Sequence, residues 1–273
     1  MASGFGGMDD GRQRQGHLSA ARSGQKLGKQ ETGQQVDAHN SSGKARQAAV
    51  TIAIPTLTQY GKLKRLCESI LRDPPVASDE VVKIFILDNG GGLLHSRDGA
   101  ALSAHDNIRV VAPPYNLGVA GSWNYFAGHL GRCIIANDDV IFDRSAIVEF
   151  QEAAERHHQS IIIENDDPLF GFSTFLLNRP TQWLAMGGFD ELFNPAYFED
   201  NDARRRLALA RNPAIKIKLS SWSHDQSSTL NHGNLEHKRM FWCLFKRNEQ
   251  YYVQKWGGPP GSETYKQPFG SRK

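Results

Sequence analysis

Two adjacent carboxylates, Asp138 and Asp139, follow Asn137 within the stretch RCIIANDDVIFD. The apolar run before them, Cys133–Ala136, predicts a short buried strand, so the acids would lie at the sheet edge where open α/β folds bind ligands. Adjacent carboxylates repel each other unless a cation lies near them, and Mg²⁺ prefers one or two carboxylates plus substrate phosphates. The pattern therefore predicts a divalent-metal site. A simple Asx-type turn remains open as the alternative, because Asn and Asp are common in turns.

Two further predicted strands also end in polar residues. Pro55 and Thr56 follow the apolar run 49–54, and Asp88 and Asn89 follow the run 81–87. The carboxyl ends of parallel strands meet at one edge of a sheet, so these residues and the acids after Ala136 can line one cleft. Each end alone is typical of a turn, but their recurrence on three strands favours a ligand site.

The segment NLGVAGSWN, residues 116–124, opens the next predicted helix. Its two glycines allow a tight turn, and the free amides of a helix start suit a diphosphate or another anion. The alternative is an ordinary capped helix start. The spacing is neither GxGxxG nor a Walker loop, so a dinucleotide fold and a P-loop fold are not indicated.

A second acidic cluster, FEDND at residues 198–202, opens another predicted helix. Acids in the first turn complement the helix dipole, but a carboxylate here could also act as general base toward an acceptor hydroxyl. The preceding GGFDE, residues 187–191, is expected to form a flexible loop near the reacting centre. His224 is either a hydrogen-bonded structural residue or the imidazole that completes a metal site with Asp139.

Alternating strand and helix patterns must position these groups. They predict an α/β fold with a mostly parallel sheet wrapped by helices, followed by a long C-terminal helix. Strands are predicted at residues 49–54, 81–87, 108–112, 133–136, 160–163, 171–177 and 215–219. Helices are predicted at residues 60–71, 119–130, 145–157, 181–186, 198–210 and 235–256.

Composition bounds the remaining possibilities. The chain has 273 residues, 39% hydrophobic, with a formal net charge of +3 that supports no nucleic-acid partner. No apolar run approaches the roughly 20 residues needed to span a bilayer, and no signal peptide is expected at the start. We therefore expect a cytoplasmic protein, and peripheral binding to a membrane surface remains an open alternative. The cysteines, Cys67, Cys133 and Cys243, each have apolar neighbours and are predicted to be buried free thiols.

Residues 1–47 are rich in Gly, Gln, Ser and basic residues and nearly empty of large apolar ones. They cannot bury enough surface to offset the entropy of ordering, so we expect a disordered tail. A basic tail that contacts an anionic surface is the alternative. Residues 48–273 are expected to form the folded domain.

From Thr51 to about Phe269 the chain resembles the GT-A-fold glycosyltransferases of family 2. The resemblance rests on TIAIPT, FILDNGG, YNLGVAGSWN, ANDDV, MGGFDELFNPAYFEDNDARRRL and NEQYYVQKWGG, in this order and spacing. It implies a UDP-, GDP- or dTDP-sugar donor and a glycan or other hydroxyl acceptor. The implied enzyme is a hexosyl- or deoxyhexosyltransferase; the sequence does not indicate the oligomeric state.

The resemblance also implies roles for individual residues. Asp139 and His224 would hold Mn²⁺ or Mg²⁺. Asp200, with Glu199 second, would be the catalytic base. Donor-binding positions would be Pro55, Thr56, Asp88, Asn116, Gly118, Asn124, Asn137 and Asp138. The family's DxD element begins here with Asn137 instead of Asp, which leaves Asp139 as the better metal ligand and Asp138 as a sugar or ribose contact.

The implied reaction is a single displacement with inversion at the anomeric carbon. The departure at Asn137 leaves room for a non-catalytic or degenerate carbohydrate-binding module. A sugar nucleotidyltransferase is a weaker alternative, because such enzymes usually carry a basic glycine-rich loop after the first strand. Here that place reads PTLTQYGKLKR, without a glycine run.

Overall fold

The computed structural model describes residues 50–72, 82–164, 172–224 and 235–270. The predicted tail at residues 1–47 lies outside them, so its disorder remains a prediction. The strands are β1 (Thr51–Thr56), β2 (Lys83–Asp88), β3 (Ile108–Val111), β4 (Cys133–Ala136), β5 (Val140–Phe142), β6 (Ile161–Glu164), β7 (Thr174–Leu177), β8 (Ile215–Ile217) and β9 (Trp222–His224). The helices are α1 (Tyr60–Leu71), α2 (Arg97–Ser103), α3 (Gly118–His129), α4 (Arg144–Arg156), α5 (Pro180–Ala185), α6 (Glu199–Leu209) and α7 (Leu235–Trp256).

One seven-stranded sheet organises these elements in the order β3-β2-β1-β4-β7-β6-β8. β1 pairs in parallel with β2 and β4, β2 with β3, and β6 with β8. β7 runs antiparallel to both β4 and β6. The predicted α/β fold with a mostly parallel sheet is confirmed. β5 and β9 form a separate antiparallel pair.

Both faces of the large sheet are buried, as parallel strands require. Alternate strand residues point to opposite faces: Ile52 and Ile54 join one hydrophobic cluster, and Ala53 joins the other. The first cluster includes the buried sides of α1 and α4, whereas the second includes those of α3, α5 and α6. The sheet is therefore a central layer between two layers of helices.

Apolar periodicity predicted most helices within about two residues. In α1, buried Leu63, Leu66, Cys67 and Ile70 recur at helical spacing, and the bounds of α1, β4 and α7 agree with the prediction. The sequence reading missed α2, which is short and whose start is capped by Ser96 accepting from Gly99 N at 2.9 Å. It also missed the three-residue strands β5 and β9.

Two general expectations meet different outcomes. Cys67 and Cys133 are buried free thiols as predicted, but Cys243 is exposed, because it lies on the solvent side of α7. Burial raises the pKa of each buried thiol to about 12. Across the described residues, no helix is both long and apolar enough to cross a membrane.

Candidate active site

Three polar strand ends meet at the carboxyl edge of the sheet. Thr56 and Asp88 are register partners on the parallel strands β1 and β2. β4 pairs in parallel on the other side of β1 and leads into Asn137. The Thr56 hydroxyl donates to Asp138 Oδ2 at 2.6 Å, which joins the ends of β1 and β4 directly. The predicted convergence of these ends is confirmed.

Asp138 lies in surroundings that disfavour its negative charge. Burial raises the pKa of Asp138 to about 7; the hydrogen bond from Thr56 lowers it, the charge of Asp139 raises it, and Lys62 lowers it. The backbone N–H of Asn137, just after β4, donates to Ser173 O, just before β7, at 2.8 Å. Asp138 is thus a buried carboxyl group whose ionised form a nearby cation would favour.

The β5–β9 pair brings His224 to Asp139. Val140 and His224 are register partners, so the histidine lies beside the residue that follows Asp139. His224 Nε2 is 3.3 Å from Asp139 Oδ1, and the side chains are 7% and 9% exposed. The chain thus folds the two predicted metal residues, 85 positions apart in sequence, into one pair.

The donor set of this pair fits a divalent metal. Imidazole and carboxylate together suit Mn²⁺ and related ions. The described residues contain no group of three or more His, Cys, Asp or Glu able to hold a metal. A metal here would therefore take its other ligands from water and substrate phosphates, as Mg²⁺ usually does in phosphate sites.

Glu164 is a buried acid at the same edge that the sequence reading overlooked. It ends β6, which runs parallel to β4 because both are antiparallel to β7. Burial raises the pKa of Glu164 to about 7, and the nearby His224 lowers it. Glu164 Oε2 has no hydrogen-bond partner among the described residues. The rule that singled out Thr56 and Asp88, a polar residue at a strand end, would have found it.

The acidic pair Glu199–Asp200 opens α6 and is buried, with 6% and 8% of each residue exposed. Burial, followed by the charge of Asp200, raises the pKa of Glu199 well above its usual range. Acids that only complement a helix dipole need no burial, since the interaction works at the surface. Two buried adjacent acids instead resemble the perturbed groups typical of functional sites.

Tyr197 connects the acidic pair with the metal pair. Burial, followed by the charges of Glu199 and Asp139, raises the pKa of Tyr197 to about 12. The phenol of Tyr197 therefore lies in the electrostatic field of both acids. Nothing in the sequence around Tyr197 distinguishes it from an ordinary core tyrosine.

Asp88 organises a turn of the protein itself. Its carboxylate accepts hydrogen bonds from Gly90 N at 3.1 Å, Leu93 N at 2.7 Å and the Tyr60 hydroxyl at 3.2 Å. The residue is 1% exposed. These contacts fix the connection after β2, and donor binding by Asp88 stays a prediction.

The start of α3 differs from the expected anion site, because protein acceptors occupy its first amides. The bonds run from Leu117 N to Asn89 Oδ1 at 3.0 Å, from Gly118 N to Asn116 Oδ1 at 2.8 Å and from Val119 N to Pro195 O at 2.7 Å. The capped helix start is therefore the correct reading for these three amides. Gly118, at φ 69°, is required here, because a Cβ would lie 2.8 Å from Pro195 O.

Asn124 and the 187–191 segment form another structural clamp. The Asn124 amide donates to Phe189 O and Glu191 Oε1, both at 2.8 Å, and its Oδ1 accepts from Phe189 N at 2.8 Å. Arg206 adds hydrogen bonds to the carbonyls of Met186 and Gly188. The predicted flexibility of this loop does not agree with these contacts, and donor binding by Asn124 stays a prediction.

An open cleft of about 420 Å³ lies among α3, this loop, α6 and α7. Asn124 is the one predicted site residue that lines it. Its charged walls are already paired, since Lys255 binds Asp190 and Arg206 binds Asp202. We therefore place the candidate site at the carboxyl edge and not in this cleft.

Comparison with known proteins shows the fold. No family model and no curated protein matches the chain. The mannosyltransferase PcManGT from Pyrobaculum calidifontis, solved in complex with GDP-Man and Mn²⁺, matches with a TM-score of 0.50 at 14% identity, over 64% of this chain and 59% of its own. The chain therefore has a GT-A-like fold.

Two further matches are weaker. TarS of S. aureus gives a TM-score of 0.48 at 12% identity, over 74% of this chain and 43% of its own. TarS 1-349 gives 0.47 at 10% identity, over 76% of this chain and 73% of its own. This chain spans less than two thirds of the length of the mannosyltransferase, so the comparison establishes the fold alone.

Within the GT-A-like fold, the predicted site residues fall into two sets. Thr56, Asp138, Asp139 and His224 are joined by direct contacts. The acidic pair is linked to them electrostatically, because Glu199 and Asp139 both raise the pKa of Tyr197. The residues Asp88, Asn116, Gly118 and Asn124 instead hold turns and helix starts around that edge. Pro55 is half-buried beside Thr56 at the end of β1.

Proposed function

We propose that this protein transfers a sugar from a nucleoside-diphosphate donor to a hydroxyl acceptor, with inversion at the anomeric carbon and with Mn²⁺ or Mg²⁺. The observation that carries the proposal is the pairing of Asp139 with His224, next to Asp138, at the carboxyl edge of a GT-A-like sheet. The second acid group, Glu199–Asp200, is linked to it electrostatically, because the charges of Glu199 and Asp139 both raise the pKa of Tyr197. The complex of the fold neighbour with GDP-Man and Mn²⁺ agrees with this chemistry.

The donor side is the strand edge. Asp139 and His224 would hold the metal, and Asp138, oriented by Thr56, would contact the ribose or sugar. When bound, the cation would supply Lewis-acid stabilisation of the charge that develops on the leaving diphosphate. The remaining donor contacts are proposed at Pro55, Asp88, Asn116, Gly118, Asn124 and Asn137.

The acceptor side is the start of α6. Asp200 would take the proton of the acceptor hydroxyl as its oxygen forms a bond to the anomeric carbon. The bond between that carbon and the diphosphate oxygen breaks on the opposite side, which inverts the configuration. The products are the glycoside, the nucleoside diphosphate and a protonated Asp200. The reaction needs both substrates held in line, which the two fixed acid groups would provide.

Between the two acids at the helix start, Asp200 is the better candidate base. Burial and the charge of Asp200 raise the pKa of Glu199 well above its usual range, so the pair tends to keep one proton between its two carboxyl groups. Glu199 Oε2 lacks a hydrogen-bond partner among the described residues that would favour the ionised form. A protonated Glu199 also relieves the repulsion that a second charge would impose on Asp200.

The test measures nucleotide release from a panel of UDP-, GDP- and dTDP-sugars, with water as the acceptor, in Mn²⁺ and in EDTA. We expect slow release from one donor, lost in EDTA. Asp200→Asn should lower kcat by about 100-fold with unchanged donor affinity. Asp139→Asn should weaken Mn²⁺-dependent donor binding by about tenfold or more. Asp106→Asn, at an exposed turn, is the matched control.

Two results would contradict the proposal. Metal-dependent donor binding without any release or transfer would favour the non-catalytic binding module. Donor binding that survives Asp139→Asn unchanged in Mn²⁺ would remove the metal assignment. The donor that the panel identifies will also show whether the transferred sugar is a hexose or a deoxyhexose.

A further inference from the structure

The acidic pair is preceded by an unusual stretch of backbone. Tyr197 and Phe198, neither of them glycine, have φ values of 79° and 75°, in the left-handed region. Residues other than glycine rarely adopt this backbone conformation, and it persists only where the surrounding structure enforces it. Phe198 is also the N-cap of α6 and makes no side-chain cap hydrogen bond. Within the segment, the Glu199 carboxylate accepts a hydrogen bond from the Tyr197 backbone, and further contacts come from another element.

Asn248 of α7 supplies hydrogen bonds to this segment. Its side-chain amide is fully buried and donates to Phe193 O at 2.7 Å and to Ala196 O at 2.8 Å, with Tyr197 O at 3.4 Å. An Asn amide has two N–H donors, so both are used on the segment just before the acids. Its Oδ1 accepts from Arg247, whose guanidinium also donates to Asn194 O.

The same side of α7 packs against the left-handed residues. The Phe245 ring lies 5.4 Å from the Tyr197 ring and 5.1 Å from the Phe198 ring. The Tyr252 ring lies 5.7 Å from that of Phe198. Aromatic packing is tolerant of small shifts, whereas two hydrogen bonds to fixed carbonyls define a position. Among the contacts that α7 makes with the turn, Asn248 thus supplies the directional ones to Ala196 O and Tyr197 O.

We propose that Asn248 is a positioning residue for the acidic pair, acting through the Tyr197–Phe198 turn to fix Glu199 and Asp200 at the start of α6. This inference rests on the proposed function for its effect on the reaction. Its structural part, the fixing of the turn by α7, does not. Asn248 lies 48 residues beyond Asp200 in sequence and touches neither proposed substrate side.

A matched control is present at the opposite edge of the sheet. The Asn178 amide is also buried and donates to two carbonyls, those of His157 and Gln159, both at 3.1 Å. Asn178 follows Leu177, which pairs with Cys133 at the amino end of β4. Asn248→Leu and Asn178→Leu therefore remove the same kind of contact, one near the acidic pair and one far from it.

The experiment measures hydrogen exchange, kcat and donor affinity for both variants. Both are expected to melt at lower temperature. Only Asn248→Leu should speed amide exchange across residues 197–202 and lower kcat about tenfold or more, with donor affinity in Mn²⁺ within about twofold of wild type. Asn248→Gln, which keeps an amide donor, should recover part of kcat. It replaces the leucine variant if that variant does not fold.

Three outcomes would overturn the inference: an unchanged kcat, a loss of kcat matched by Asn178→Leu, or unchanged exchange across residues 197–202. A parallel loss of donor affinity would also overturn it, because that result indicates general damage. A wild-type protein that neither binds nor cleaves any donor contradicts the proposed function, while the exchange data still decide whether Asn248 fixes the turn.

Discussion

Replacing Lys255 by methionine removes the cation at the centre of a buried ionic cluster. Lys255 Nζ lies 2.6 Å from Asp190 Oδ2 and 2.6 Å from Asp202 Oδ1, and its side chain is 6% exposed. The two carboxylates are 18% and 0% exposed, so water does little to replace the lost partner. The substitution leaves two buried charges facing a thioether, while helix propensity changes little because Lys and Met have similar values.

The remaining contacts set the size of the effect. Removing one partner of a buried ion pair costs about 3–5 kcal/mol. Asp202 keeps Arg206 at 2.8 Å and Trp256 Nε1 at 2.9 Å. Asp190 keeps the Tyr251 hydroxyl at 2.9 Å. These contacts stabilise the two carboxylates that lose Lys255. We therefore expect the free energy of unfolding to fall by about 3 kcal/mol, the lower end of this range. For a domain of this size, that corresponds to a melting temperature lower by about 6–12 °C.

The assay is urea unfolding followed by circular dichroism, with Lys246→Met as the control. Lys246 lies on the same helix and contacts Glu249 at 2.7 Å, but its side chain is 61% exposed. An exposed pair contributes little, so the control should stay within about 0.5 kcal/mol of wild type. A Lys255→Met variant whose free energy of unfolding falls by less than about 1 kcal/mol would refute the importance assigned to this cluster.

The same substitution predicts a change with pH. Burial raises the pKa of Asp190, but hydrogen bonds from Lys255, Leu192 N and Tyr251, with the charge of Lys255, more than offset this and lower it overall. In the wild type, this carboxylate contributes stability above its unfolded pKa of about 4, and the contribution is lost as pH falls through the lower folded value. Without Lys255, burial becomes the dominant effect on Asp190 and raises its pKa in the folded variant. Lowering the pH then protonates Asp190 and removes the free-energy cost of its buried charge. The deficit of the variant should shrink between pH 7 and pH 5; a deficit that grows would refute this reasoning.

Two further predictions use contrasts within the chain. Gly118→Ala should destabilise the protein by about 1–3 kcal/mol, because the residue has φ 69° and a Cβ would meet Pro195 O at 2.8 Å. In contrast, Gly128→Ala on the same helix, where a Cβ meets nothing within 4 Å, should stabilise it by about 0.5–1 kcal/mol; thermal melts compare them. A thiol reagent should label Cys243 alone in the native protein and all three cysteines after unfolding, because the other two are buried with raised pKa values. Mass spectrometry showing native labelling at a second cysteine would contradict the placement of the buried thiols.

Local patterns predicted that polar strand ends would meet at one edge of the sheet. Apolar runs ending in Thr56, Asp88 and Asn137 indicate strand ends, and parallel pairing then brings those ends together. The pairing of Asp139 with His224 also agrees with the prediction, although the strand that delivers His224 was missed. β9 has three residues and pairs with β5 across about 80 positions of sequence, so its existence depends on tertiary contacts that no local window contains.

Other errors share the same physical origin. Predicting free amides at the start of α3 was reasonable from glycine spacing, but Val119 N is taken by Pro195 O, 76 positions later. The glycines near residue 187 predicted flexibility, yet Asn124 and Arg206 hold that segment through backbone atoms. The groups that bind these backbone atoms come from elements distant in sequence. Sequence patterns report which groups need partners, but not which distant residue supplies them.

The two halves of the candidate site consequently depend on different parts of the fold. The proposed donor half lies on β1, β2 and β4, where β1 pairs in parallel with both neighbours. The acceptor half begins at a left-handed turn that lacks a local cap and is held by Asn248 and aromatic residues of α7. Loosening α7 should therefore impair placement of the base before it affects donor binding. The order of these losses would separate the roles of the two halves more clearly than the loss of activity alone.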